Sequence, residues 1–204
     1  MTTVAELEIG AAADAWRAVG FAVADDGVLQ LGGVRIRLVD GAAGLASWTL
    51  ADAPDSAIAA IDHLVTSHGD PPAAPASAQP NGVFGIDHVV VYTPDLEVTC
   101  AAIAAATGHE LKRVREVGAL RQGFHRLGEV IVEVVSFPGV EAPYATFWGL
   151  ALNVRDIDAL FDRCGDELLS PPKNAVQPGR RIASFREAAA LGLPVAVMTV
   201  ADRA

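Results

Sequence analysis

Residues 85–108 read GIDHVVVYTPDLEVTCAAIAAATG, and residues 147–165 read FWGLALNVRDIDALFDRCG. Each opens as an apolar strand, turns through a segment ending in aspartate, and continues with the apolar spacing of a helix. Asp95 and Asp156 stand at the expected helix N-termini, where a carboxylate accepts from free amides and favours the dipole. The pattern recurs more loosely at residues 44–64 (GLASWTLADAPDSAIAAIDHL) and 5–20 (AELEIGAAADAWRAVG). The chain therefore holds four strand-turn-helix starts, the second with its helix expected over residues 55–68.

Period-two apolar runs with glycine turns follow the first, third and fourth helices, at residues 22–39, 110–137 and 180–200. They suit antiparallel hairpins. Within them LGGVRIRLV (31–39) aligns without gaps on LGEVIVEVV (127–135), at an offset of 96 residues. Each full unit reads βαβββ, and the expected class is α+β. The second unit is expected to stop after its helix, because GDPPAAPASAQPNG (69–82) holds four prolines in fourteen residues. Such a stretch excludes helix and reads as an extended, exposed linker. The expected organisation is a truncated, degenerate region over 1–68, the linker over 69–82 and a pair of βαβββ units over 83–204.

The chain has 204 residues, of which 15 are basic and 25 acidic, for a formal charge of −10. That balance lacks the cationic surface that nucleic acid or an anionic membrane requires, so neither partner is expected. No apolar run reaches the roughly 20 residues of a bilayer span, and the N-terminus lacks a signal core, so cytoplasmic residence is expected. Cys100 and Cys164 form no disulfide framework and read as reduced, structural residues. Arginine supplies 13 of the 15 basic residues. Such a bias gives an isolated arginine little functional weight.

On GIDHVVVYTPDLE, LGEVIVEVV and the second βαβββ unit, the chain resembles the vicinal oxygen chelate superfamily, which includes glyoxalase I, extradiol dioxygenases and the bleomycin resistance proteins. Residues 176–200 also resemble the end of uncharacterised actinobacterial glyoxalase-like proteins. The resemblance implies paired units whose mixed sheets curl into a cleft. It also implies a divalent metal on the first and last strands of each unit. By position, His88 and Glu133 are the metal and catalytic candidates of the third unit. The fourth unit departs, with Gly149 seven residues before Asp156 and Met198 opposite Glu133. In the N-terminal half the corresponding residues are Leu7, Arg37 and Trp48, none a usable ligand, and an architectural role in sheet or dimer surface follows.

Three readings of His88 and Glu133 stay open: a structural pair, a metal site completed by other groups, and a metal-free pair for acid/base work or ligand orientation. Alternation on LRQGFHRL (120–127) places Gln122, Phe124 and Arg126 on one face, a fitting pocket lining, and His125 on the other, expected at the surface. His63, His68 and His109 are expected at helix ends or loops. Of the adjacent Arg180 and Arg181 only one can enter a cleft, and Arg181 is the choice. Trp148 and Met198 are further ligand-contact candidates. The expected function is binding of a small oxygen-rich molecule, by a lyase, isomerase or dioxygenase with a reduced metal site or by a non-catalytic sequestering protein. A homodimer is compatible with either.

Overall fold

Asp95 and Asp156 cap helices as the sequence requires. Asp95 accepts from Val98 N at 3.0 Å and Asp156 from Asp158 N and Ala159 N at 3.1 and 2.9 Å. The structure is a computed structural model and describes residues 1–54, 59–71 and 78–201. From the third start the chain forms β7 (Val83–Tyr92), α2 (Leu96–Thr107), β8 (Arg113–Val117), β9 (Leu120–Leu127) and β10 (Val130–Ser136). From the fourth it forms β11 (Thr146–Val154), α3 (Ile157–Leu168), β12 (Lys173–Asn174), β13 (Arg181–Ser184) and β14 (Val195–Thr199). Both are βαβββ units. They join into one eight-stranded mixed sheet in the order β12-β13-β14-β11-β7-β10-β9-β8. The antiparallel β7/β11 pair lies at its centre, flanked by parallel β10 and β14.

The N-terminal half repeats this order with fewer strands. It comprises β1 (Thr3–Gly10), α1 (Ala13–Ala18), β2 (Val28–Leu31), β3 (Val34–Val39), β4 (Gly44–Ala51), β5 (Ala60–Ile61) and β6 (Leu64–His68). The sheet runs β2-β3-β1-β4-β6-β5, with β3 and β6 parallel to the central antiparallel pair β1/β4. Its first unit is βαββ, one strand short of expectation. The aligned LGGV and LGEV turns have the same form: Leu31 pairs Val34, Leu127 pairs Val130, and Gly32 and Gly128 hold φ of 59° and 65°.

Two expectations are corrected. The helix over residues 55–68 is absent from the described part of that segment, 59–68, which instead holds the β5/β6 hairpin; residues 55–58 lie outside the description. Asp62 and His63 take left-handed φ of 45° and 69°, which turns the chain, and β6 then alternates by burying Leu64 and Thr66 while exposing Val65. Nor is the whole 69–82 stretch an exposed connection. Residues 72–77 lie outside the description, but Gln79 and Asn81 are buried. Gln79 accepts from Ala22 N at 2.8 Å and donates to Gln30 O at 3.1 Å, Asn81 donates to Val19 O at 3.2 Å, and Arg155 N donates to Gly82 O. These residues fasten the two halves together.

The buried apolar residues of both halves form one contiguous cluster. Trp48, in β4, is fully buried, packs edge-on to Phe147 at 5.3 Å and donates its indole N–H to the Thr66 hydroxyl at 2.8 Å. Trp16 donates across the halves to Leu191 O. Among the described residues no helix is long and apolar enough to cross a membrane. Truncating Trp48 to alanine leaves a large cavity at the joint between the halves, and urea denaturation should register a loss of about 3–5 kcal/mol. A loss below about 1 kcal/mol would show that this joint does not contribute to stability.

Candidate active site

Along β7, Ile86, Val89 and Val91 face the core, which leaves His88, Val90 and Tyr92 on the opposite face. Strict alternation would send Asp87 away from His88. The β7/β11 register skips Asp87: Ala151 pairs His88 and Leu152 pairs Ile86. The extra residue forms a β-bulge, which re-aims the Asp87 side chain toward His88. His88 Nδ1 consequently lies 2.9 Å from Asp87 Oδ2, while Nε2 lies 3.2 Å from Glu133 Oε2. Carboxylates only accept, so both contacts are donated bonds at once only when the ring carries both protons.

The chain of bonds extends both ways. Arg180 donates from Nη2 to Asp87 Oδ1 at 2.7 Å and to Asn153 Oδ1 at 3.1 Å, and from Nε to Thr199 O at 2.6 Å. At the other end Gln122 donates to Glu133 Oε1. Asn153, Arg180, Asp87, His88, Glu133 and Gln122 thus form one continuous polar line across four strands and the loop before β13. Burial alone would push the Asp87 carboxyl up, but the bonds from His88 and Arg180 outweigh it and hold its pKa at about 2, below the ordinary 3.8.

The register explains the cavity lining. Arg113, Phe124, Glu133 and Val90 are successive partners across β8, β9, β10 and β7, as are Arg126, Ile131 and His88 across β9, β10 and β7. A cavity of about 1090 Å³ opens above these rows and reaches Met198 and Ile182 on the other unit. A second, of about 400 Å³, adjoins it and is bordered by Tyr92 and Trp148, which stack at 4.9 Å. The two cavities share His88, Gln122, Glu133 and Ile182. The expected residues Gln122, Phe124, Arg126, Trp148 and Met198 therefore border this space together with His88 and Glu133. Trp148 reaches it through a second bulge, between the pairs Phe147–Val91 and Gly149–Val90.

Arg181 does not join them. Its phase on β13 is that of buried Ala183, and its guanidinium pairs with Asp158 on α3, whereas Arg180, in the phase of Ile182, enters the cavity. His125 is not at the surface: it is 1 % exposed, its Nδ1 is 3.0 Å from His109 O, and burial pulls its pKa down. His63, expected at a helix end or loop, lies in the β5/β6 turn and stacks on Tyr144, while His68 ends β6 rather than a helix. Sequence reasoning missed Asp87, Arg180 and Asn153. A polar Asp-His pair among valines was a signal, but its shared face depends on the bulge.

The register also corrects the N-terminal counterparts. Arg35 pairs Glu6 as Ile131 pairs His88, so Glu6, not the core residue Leu7, holds the His88 position. Arg37, in the Glu133 position, bonds Glu6 at 3.4 Å and also pairs with Glu8. An ion pair of opposite arrangement thus replaces the His-Glu pair. The divalent metal that the fold family implies does not fit the donors of the C-terminal half. Among the described residues no three His, Cys, Asp or Glu side chains form a set that could hold an ion. The same register moves the fourth unit's counterpart of His88 from Gly149 to Ala151, which pairs Ala196 as His88 pairs Ile131 and carries no donor.

No family model and no curated protein matches the chain. Solved structures do. A mutant of 4-hydroxymandelate synthase from Streptomyces coelicolor aligns with 99% of this chain and 94% of its own, at TM-score 0.66 and 15% identity. Methylmalonyl-CoA epimerase from Mycobacterium tuberculosis aligns with 63% of this chain and 93% of its own, at TM-score 0.51 and 17% identity. The chain shares the fold of these two proteins. At these identities the likeness concerns the fold alone, and function rests on the residues in the cleft.

Asp87 makes the cleft pH-sensitive in a definite direction. Its folded-state pKa lies below the unfolded value, so its contribution is complete above about pH 4 and is lost as pH falls through about 2. Wild type should exceed Asp87→Asn by about 2 kcal/mol at neutral pH. Urea titrations repeated downward from pH 5 should show the gap closing. A gap that persists unchanged at pH 2 would contradict the assignment.

Proposed function

We propose that this protein binds a small oxygen-rich molecule in the C-terminal cleft and that His88 and Glu133 act on it as a metal-free proton-transfer pair. The observation that carries the reading is the line from Asn153 to Gln122, which fixes both side chains at the meeting of two cavities. Asp87, itself held by Arg180, orients the His88 ring. Glu133 is the group that can accept a proton from a carbon beside a carbonyl, the C–H electron pair passing to the carbonyl oxygen. Return of the proton to the other face or to the neighbouring atom completes an isomerisation. No metal or redox partner enters this balance. The reading keeps the protein in the cytoplasm, with both cysteines reduced, and treats residues 1–68 as an architectural unit.

A second reading, a non-catalytic binder of the bleomycin-resistance type, is favoured by one observation. Both oxygens of Glu133 are already engaged, one by His88 and one by Gln122. A binder needs the cleft and its orienting groups but no free base.

The two readings separate by hydrogen exchange. In deuterated buffer, a panel of small 2-oxo and 2-hydroxy acids and their esters should show exchange beside the carbonyl for at least one member. Glu133→Gln should lower that rate by about a hundredfold or more. Saturable binding without exchange supports the binder instead. Thermal melts with added Zn, Mn, Ni or Fe(II) should leave the melting temperature unchanged. A rise of several degrees that Glu133→Gln abolishes would restore the metal reading.

A further inference from the structure

The distribution of positive charge is uneven in a way that the protein's net charge conceals. Carboxylates partner Arg17, Arg35, Arg37, Arg121, Arg180, Arg181 and Arg186. Among the described residues seven other cations have no carboxylate partner, and five of them border the larger cavity: Lys112, Arg113, Arg115, Arg126 and Lys173. These include both lysines of the chain. The carboxylates bordering the same space are Asp87 and Glu133, each already bonded within the polar line. A chain of formal charge −10 thus gathers unneutralised cations around one cavity.

Topology makes this a single site. Arg113 and Arg115 lie on β8 and Lys173 on β12, the two edge strands of the eight-stranded sheet, yet all border one cavity. Curling therefore brings opposite edges to face each other across the cleft. Arg113 and Arg115 are held inward by register, opposite Phe124 and Gln122, and Arg113 lies 4.9 Å over the Phe124 ring. Like charges converging in a partly enclosed space repel one another, and an anion in their midst reverses the sign of that interaction. A lone carboxylate is satisfied by one bidentate guanidinium, whereas phosphoryl groups offer the charge and acceptor oxygens for several cations.

We infer that the cleft takes a phosphorylated small molecule, with its polyanionic end on Lys112, Arg113, Arg115, Arg126 and Lys173 and its oxygen-rich reactive end at His88 and Glu133. This deepens the proposed function and rests on the cleft being a ligand site. Three strand spacings, about 14 Å along the sheet, separate β7 from β8. The cavity of about 1090 Å³ accommodates a molecule of that length.

Inorganic pyrophosphate probes the anionic end by itself, and isothermal titration reads it. Saturable binding should weaken with added NaCl and fall about tenfold or more in Lys112→Ala/Arg115→Ala and in Lys173→Ala. Two controls should retain it: Arg163→Ala, a cation without a carboxylate partner outside the cleft, and His88→Ala. Absence of binding, or equal loss in Arg163→Ala, overturns the inference. Malonate binding as tightly as pyrophosphate overturns the phosphoryl assignment, and loss in His88→Ala overturns the orientation. Because the probe needs neither His88 nor proton transfer, hydrogen exchange without pyrophosphate binding would sink this inference alone.

Discussion

The seam between β7 and β11 is the constraint on which the rest depends. It joins two units back to back, sets β10 and β14 parallel on either side, and carries the bulges at Asp87 and Trp148. Without the first bulge Asp87 would point toward the core, where an unpaired carboxylate costs several kcal/mol. With it, the same carboxylate meets Arg180 and His88 and becomes the support of the candidate site. The same local irregularity thus removes a buried-charge problem and orders the His88 ring.

Much of this architecture was legible in the chain. Aspartate caps before helices, the LGGV and LGEV turns and the period-two runs each follow from local chemistry, and together they specify the repeated units. His88 and Glu133 came from the family resemblance, which implies ligands on the first and last strands of a unit. What could not be read was phase. A bulge changes which face every later residue presents, and nothing in GIDHVVV marks where pairing skips. The choice between Arg180 and Arg181 failed for a related reason: adjacent residues on a short strand are separated only by what packs behind them, here buried Ala183 and, for Arg181, Asp158 on α3. The β5/β6 hairpin was hidden by helix-forming alanines, with the turn made by Asp62 and His63 rather than glycine.

The two halves show how one scaffold supports different contents. Where the C-terminal sheet sets His88 beside Glu133, the N-terminal sheet sets Glu6 beside Arg37 and also beside Arg35 at 3.2 Å. Glutamate between two arginines is a closed electrostatic arrangement, with little capacity left for a ligand. Histidine between two carboxylates is an open one, because a ring with a single proton can donate to only one of them. The duplication therefore sets a half whose charged groups close on one another beside a half whose polar groups border a cavity.

Gly149 limits how the bulge at Trp148 can be varied. The space that a side chain would need there is occupied by the Pro194 carbonyl, and Leu150 N donates to that same oxygen at 3.0 Å. A single substitution at position 149 therefore cannot add a side chain beside Trp148 unless the backbone around Pro194 withdraws and gives up its bond.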